Sequence, residues 1–551
     1  MPTGGSLVVE GLEQGGVELT FGIPAVHNLP IYDALYGSKS VRSVPVRHEQ
    51  SAGFMAIGSA YASGRPAACV VGCGPGATNL LTPVAEAYLD SVPMLAIAGG
   101  IRTSSVGRGA LHDVGQLSMF VPVSKRTSRL TEPSELGNEV CRSVYQCASG
   151  RPRPIFLEVP FDVLSSEVSA AAPFVSVVPR GPEIPPGAVS SVSSILSRAE
   201  RPLIIAGGGV NSAAAWEELA TIAQKLSAPV ASTISAKGAY PEDHALSAGQ
   251  LWDEIALKKV HEADVVLALG CRFSERSTAS WGMRLSGSLV HVDIDGDEIG
   301  RNYPATVGVQ AGLRTFLRSL SAETDYDRSR GRQEWVDGLQ LVKHERDARI
   351  ERDALRTGVP IRPQRIVWEI ARVLPEDCAV VAETGHAFWW AAAMLRIVRP
   401  RSFLSPSGNS TLGFGLPAAL GVKSVSPGKP VLCLAGDGGF IFSCQEIATS
   451  VEEKLPVVVV VFDDRGYAAI REYQRRGYGS RYIGVDFAVQ PDFVKLAESL
   501  GAEGTTVERP DDVGPTVMRA LRSSKTTVVD VKISRDEDVI PKFFTEIYRR
   551  K

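Results

Sequence analysis

Two apolar runs in the last third of the chain, residues 430–435 (PVLCLA) and 456–462 (PVVVVVF), each end at acids. The first runs into Gly436-Asp437-Gly438 and the second into Asp463-Asp464. Runs of this length and composition read as buried strands, and residues 441–453 between them read as a helix. A strand–helix–strand unit crosses over right-handed, which sets its strands parallel and brings their carboxyl ends to one edge. Both acids then face one crevice, where open α/β sheets bind ligands. Two hard oxygen ligands beside the backbone N–H groups of a helix start suit a divalent cation holding a diphosphate. A lone GDG also reads as a turn, and an acid after a strand as a helix cap. The rest of the chain decides between these.

At 551 residues the chain exceeds what one core organises, and three domains is the natural division. Residues 165–187 (SSEVSAAAPFVSVVPRGPEIPPG) are rich in Ser, Ala and Pro and read as a linker. Residues 325–363 begin highly charged, hold an amphipathic helix around 334–352, and end at GVPIRP, a second connection. The domains are therefore 1–164, 188–324 and 364–551. Each alternates strand-like and helix-like stretches, which predicts an α/β protein of three doubly wound parallel-sheet domains. In the first, 43–46 is a strand followed at once by Glu49. Helices at 50–63 and 78–89, strands at 67–71 and 93–98, and a Gly-rich turn at 72–76 follow. In the second, 202–206 is a strand ending at three glycines, 207–209. Residues 213–226 are a helix, and 264–269 and 289–294 further strands. In the third, 414–422 is a Gly/Ala-rich helix suited to packing close to a cofactor.

The net charge of −3 offers no basic footprint for nucleic acid or an anionic membrane surface. The longest apolar runs are strand-length, short of the ~20 residues of a membrane helix. The N-terminus, MPTGGSLVVEGLEQ, has no basic region or long apolar stretch and does not read as a signal peptide. Eight cysteines without CxxC pairs, several of them in apolar runs (Cys69, Cys271, Cys433), read as buried reduced thiols of a cytoplasmic protein.

Three motif clusters complete the picture. They are RHEQSAGFMAIGSAYASG with GCGPGATNLLTPVAEAYLDSVPML; SGNSTLGFGLPAALG; and GDGGFIFSCQEIATSVEEKLPVVVVVFDDRGYAAIREY. In this order, over essentially the whole chain, they resemble thiamine-diphosphate-dependent enzymes of the acetolactate synthase and 2-oxo acid decarboxylase type. The resemblance implies a pyrimidine-binding first domain, a Rossmann-like middle domain and a diphosphate-binding third. Glu49 matches the carboxyl that shifts the cofactor's pyrimidine toward its imino tautomer, whose nitrogen takes the C2 proton. Asp437 matches the magnesium ligand of the GDG motif. Asp464 stands where the family usually has Asn, and the Gly466 carbonyl is the third protein ligand. Gly436, Gly438, Gly439, Phe440 and Tyr467 line the diphosphate, as does a second segment, Gly385-His386-Ala387. Leu412 matches the apolar side chain over which the cofactor bends. His27, His112 and Gln116 lie in loops that cover the thiazolium in relatives, and histidine shuttles protons near neutral pH.

The middle block resembles the FAD-binding domain of acetohydroxyacid synthases at 207–209, Arg272-Phe273 and 293–295. It lacks their Met-His-Gly segment, reading GQLWDEIALKKV instead, so tight FAD binding is not expected. Tyr473 stands where acetohydroxyacid synthases carry Trp, which argues against the housekeeping branched-chain enzyme. The implied activity is decarboxylation of a pyruvate-like 2-oxo acid with carboligation to an acceptor. The alternatives are a simple decarboxylase, a hydroxyketone lyase, or a catalytically silent regulatory relative, against which Glu49 argues. The family also implies a homodimer or homotetramer whose sites are shared: Glu49 of one chain meets the diphosphate held by the other.

Overall fold

The computed structural model describes residues 1–169, 172–174, 181–325 and 330–547. Parts of the two expected connections, 170–171, 175–180 and 326–329, lie outside the described residues. The described residues form three six-stranded sheets. The first holds β1 (Leu19–Gly22), β2 (Arg42–Pro45), β3 (Ala67–Val71), β4 (Met94–Gly100), β5 (Arg126–Arg129) and β6 (Ile155–Pro160), in the order β2-β1-β3-β4-β6-β5. The second holds β7 (Pro202–Ala206), β8 (Val230–Ser232), β9 (Ser247–Gln250), β10 (Val265–Leu269), β11 (Ser288–Asp293) and β12 (Val307–Gln310), in the order β12-β11-β10-β7-β8-β9. The third holds β13 (Ala379–Ala382), β14 (Phe403–Leu404), β15 (Val431–Gly436), β16 (Val458–Asp463), β17 (Glu503–Val507) and β18 (Thr527–Lys532), in the order β14-β13-β15-β16-β18-β17.

Every paired strand is parallel to its neighbour. Central strands such as β3, β10 and β16 are buried along their whole length. This is why they read as unbroken apolar runs: helices cover both faces of a parallel sheet.

The helices that matter for the site are α1 (Glu49–Ser63), α2 (Pro75–Asp90), α3 (Arg330–Ala354), α4 (His386–Met394), α5 (Gly415–Val425), α6 (Asp437–Phe440), α7 (Glu446–Glu452) and α8 (Ala468–Gly477). α3 is the amphipathic helix of the second connection, laying Trp335 and Leu339 on the middle-domain core. Two expected helices are broken. Residues 441–453 are helical only over α7, because 440–445 turn with bonds three residues apart, Ser443 N to Phe440 O and Glu446 N to Ser443 O. The expected 213–226 helix begins at Trp216. Ala214 takes φ +48°, and the Trp216 indole N–H donates back to Asn211 Oδ1 at 2.9 Å, closing a turn between two helices.

The first and third domains share one continuous core, centred on the crossing of α1 and α5. The Gly/Ala pattern of α5 serves this crossing rather than approach to a cofactor. A Cβ at Gly421 would lie 2.0 Å from the Met55 carbonyl oxygen, and one at Gly58 2.0 Å from that of Ala418. Only glycine lets the two backbones approach this closely. All eight cysteines are free thiols, seven of them buried, and Cys444 is partly exposed. Among the described residues no helix is long and apolar enough to cross a membrane.

Candidate active site

One half of the site gathers around the 72–76 turn that follows β3. Glu49 opens α1, where His48 caps the helix by accepting the Gln50 N–H on Nδ1 at 3.1 Å. The Glu49 carboxylate turns to α2: Asn79 Nδ2 donates to Oε2 at 3.0 Å, and Oε1 lies 3.5 Å from the Cβ position of Gly76. His27 and His112 meet edge to face with centroids 5.4 Å apart. Burial, and then the neighbouring His112, lower the pKa of His27. Gln116 is buried, with both ends of its amide on backbone. Oε1 accepts from Gly74 N at 3.1 Å and Nε2 donates to Gly99 O at 3.1 Å. These two bonds tie the 72–76 turn to the end of β4.

The other half lies at the carboxyl ends of β15 and β16. Asp437 begins α6 and is 1% exposed. Its Oδ1 accepts from Gly438 N at 2.7 Å, and its Oδ2 from Gly466 N at 3.2 Å and Gln490 Nε2 at 2.7 Å. Burial, with Asp463 beside it, pushes Asp437 up to about 7 against these donors. Asp464 is also buried. Burial and the nearby Asp437 hold its carboxyl well above the usual range. Arg535 reaches the Asp464 backbone carbonyl, not its carboxyl, whereas Asp463 is paired with Lys532. Two buried acids at adjacent parallel strand ends, Asp437 raised beside Asp463 and Asp464 raised beside Asp437, fit a divalent ion. Among the described residues no group of three His, Cys, Asp or Glu side chains is placed to hold one. A backbone carbonyl such as that of Gly466 would have to complete the set.

Gly385 (φ +121°) and Gly436 face open space, with nothing within 4 Å of a Cβ there. Gly438 and Gly439 are packed instead. The Tyr467 ring lies 2.6 Å from the Cβ position of Gly438, and Glu383 Cγ lies 2.7 Å from that of Gly439. His386 and Ala387 open α4, with His386 Nε2 2.8 Å from Glu472 Oε2. Burial would raise Glu472, but His386 and its other donors hold it below the usual range. Leu412 precedes Gly413 (φ +80°), and its carbonyl accepts from Gln50 Nε2 at 3.3 Å. The two halves thus adjoin through Gln50, and through Arg47, whose N–H donates to Glu446 Oε1 at 3.1 Å.

Sequence reasoning missed four side chains. Gln490 bridges Asp437 and Asp463. Glu472 holds His386. Glu383, 1% exposed, accepts from Thr384 N and Gly415 N, and burial pushes it up to about 7. Glu86 is fully buried on α2. An acid at a strand end before a glycine was a legible signal for Glu383, as it was for Asp437. A mid-helix Glu and a loop Gln carry no such signal.

In the middle domain, strand order reverses between β10 and β7. A cavity of about 220 Å³ opens there, lined by Gly208, Thr233, Cys271, Ser274, Asp293 and Glu298 among others. Burial pushes Asp293 up to about 6.

A fold of three such domains, with acids at two adjacent strand ends of the third, defines a class that family comparison identifies. Residues 2–119 match the thiamine pyrophosphate enzyme N-terminal TPP binding domain, 189–320 the central domain and 383–531 the C-terminal TPP binding domain. The chain belongs to the thiamine pyrophosphate enzymes. Among individual proteins it is similar to the probable acetolactate synthase large subunit of Methanocaldococcus jannaschii, 34% identical over 97% of this chain and 92% of that protein. It is also similar to the acetolactate synthase of Mycobacterium bovis, 32% identical over 98% and 89%. The acetolactate synthase large subunit of Corynebacterium glutamicum is 32% identical over 98% and 88%.

Proposed function

We propose that this enzyme is acetolactate synthase-like: it decarboxylates a pyruvate-like 2-oxo acid and joins the remaining fragment to an acceptor. The observation that carries this reading is the pair of buried acids, Asp437 and Asp464, at adjacent strand ends in a chain similar over 97–98% of its length to acetolactate synthases. Thiamine diphosphate, when bound, supplies the carbon nucleophile and the electron sink for loss of carbon dioxide. Asp437, Asp464 and the Gly466 carbonyl would hold Mg2+. The segments 385–387 and 436–440, covered by Tyr467, would hold the diphosphate, and Leu412 would support the bent cofactor. Glu49 would hold the proton at the pyrimidine ring. His27 and His112 would face the substrate, while Gln116 keeps the 72–76 turn in place.

Within one chain the Glu49 carboxylate is turned to Gly76 and Asn79. Apolar Leu111, Val121 and Phe442 are exposed near the two half-sites. Both observations support a homodimer or homotetramer with sites shared between chains, and the eight free thiols go with a cytoplasmic location. The domain limits 1–164, 188–324 and 364–551 belong to the same reading. The middle-domain cavity of about 220 Å³ is lined by Gly207, Arg272, Phe273 and Asp293 of the segments that resemble an FAD-binding domain; the expectation that FAD is not tightly bound rests on the missing Met-His-Gly segment. Purified protein with a flavin absorption band would overturn that part.

The main test strips the protein with a chelator and dialysis, then adds back thiamine diphosphate and Mg2+ with pyruvate. Mass spectrometry should detect carbon dioxide and a ligated hydroxy-oxo acid only after both are restored. Full activity in stripped protein would sink the reading. Aldehyde as the only product would make the enzyme a simple decarboxylase.

A further inference from the structure

The loop that carries Leu412 is gripped from the first domain. Glu86, on α2, is fully buried and collects four donors from this loop. Its Oε1 accepts from Gly408 N at 3.2 Å and Asn409 N at 3.0 Å. Its Oε2 accepts from Thr411 N at 3.2 Å and Thr411 Oγ1 at 2.9 Å. One turn on, Asp90 takes the N–H and hydroxyl of Ser407 at 3.0 and 2.7 Å. Across the loop, Arg276 of the middle domain donates to Ser410 Oγ and the Pro406 carbonyl. Beyond Leu412, Glu383 accepts from Gly415 N at 2.7 Å. Leu412 therefore stands between two buried carboxylate anchors, and the upstream one belongs to another domain. Gly408 is tight enough against α2 that a Cβ there would lie 2.5 Å from that of Leu89. The loop has no slack on that side.

We infer that Glu86 is a positioning residue for the cofactor: through the amides of 408–411 it sets where Leu412 stands, and so how the bound cofactor is bent. The inference rests on the reading of Leu412 as the bending platform. Glu86 is fully buried with both oxygens bonded to the loop, so it acts through the loop. The diphosphate would be held by other segments, 385–387 and 436–440. Loss of Glu86 should therefore alter cofactor geometry and leave cofactor affinity nearly intact. A purely structural weld would behave in the opposite way, lowering stability and affinity together.

Glu86→Gln keeps the side chain's size but turns an NH2 group toward two of the four donors, leaving them unpaired. The experiment measures deuterium exchange at the cofactor C2 by quenched-flow NMR, at saturating thiamine diphosphate and Mg2+. It also measures the cofactor Kd by tryptophan quenching, for Glu86→Gln, Leu412→Ala and the double variant. Exchange in Glu86→Gln should slow roughly 10- to 100-fold, the scale expected for misplacing a reacting geometry by about an ångström. Kd should stay within about threefold, and the double variant should be no slower than Leu412→Ala alone, because both act through one side chain. Exchange at the wild-type rate in Glu86→Gln, or effects that multiply in the double variant, would overturn the inference. Wild-type exchange in Leu412→Ala would instead overturn the reading of Leu412 itself. If Glu86→Gln does not fold, Thr411→Val removes a single donor and decides the matter. Slower exchange at unchanged Kd supports the inference, and an unchanged rate ends it.

Discussion

Glu49, half-buried, and Glu86, fully buried, are both carboxylates of the first domain, yet their chemistry is set by different neighbours. Glu49 meets one amide donor on Oε2 and turns Oε1 to Gly76, 3.5 Å from its Cβ position. Glu49→Gln should slow C2 exchange by about two to four orders of magnitude, the range for losing a positioned proton-transfer group. Cofactor Kd should change little. Equal exchange rates in deuterium-quench NMR would reduce Glu49 to a helix-start carboxylate. Glu86 is different: burial, then the adjacent Asp90, push it up to about 8. The donors from Asn409 and Thr411 on its oxygens oppose this rise without cancelling it. Arg272, 3.7 Å from Asp90, and Arg276 are the cations that face the two acids. The sign follows from linkage. Folded Glu86 keeps a proton that the unfolded chain releases near the usual ~4. Its stabilising share is full below that pH and is lost as pH rises to about 8. In denaturant titrations of cofactor-free protein, wild type should lose stability over this window by at most about 1.4 kcal/mol per pH unit relative to Glu86→Gln. Parallel curves for the two proteins would refute the assignment.

At the scale of elements, the α1–α5 crossing is the most exacting contact between domains. Gly421→Ala would drive a methyl into the Met55 carbonyl, which belongs to backbone and cannot swing aside. Such overpacking costs typically about 1–3 kcal/mol, read as a lower urea midpoint. An unchanged midpoint would mean that the helices part without penalty. This crossing also marks where sequence reasoning stops. The 430–463 unit was legible because strand length, apolar content and terminal acids all point the same way, and the structure places β15 and β16 side by side and parallel. The purpose of the glycines in α5 was not legible. A small residue admits a cofactor or a second helix equally, and only the partner in space distinguishes them. The broken helices at 213–226 and 441–453 failed for a related reason. Apolar periodicity continues through both, while a side-chain bond from Trp216 and short-range turn bonds interrupt the backbone. Glu86 and Gln490 were invisible because their roles depend on partners distant in the sequence, the 408–411 loop for Glu86 and Asp437 and Asp463 for Gln490.

At the scale of the whole molecule, the proposal that sites are shared between chains makes a prediction that no single chain can satisfy. Glu49→Gln and Asp437→Ala should each be inactive alone. Mixed under conditions that exchange subunits, half the dimers are hybrids, and each hybrid has one site with both groups intact. Roughly a quarter of wild-type activity should return. No recovery despite proven exchange would place Glu49 and Asp437 of one chain in the same site. The distribution of thiols has a separate consequence. Four cysteines lie in the first sheet's domain, one in the second's and three in the third's, and all but Cys444 are buried. Burial raises their pKa, to about 12 for Cys147, Cys271 and Cys378, and only the thiolate alkylates. Each buried sulfur is thus a silent clock that starts when its own domain opens. A brief alkylating pulse during unfolding, followed by peptide mapping, would time the opening of each domain in the unmodified protein. The order in which the masses shift would reveal whether the core shared by the first and third domains yields as one unit.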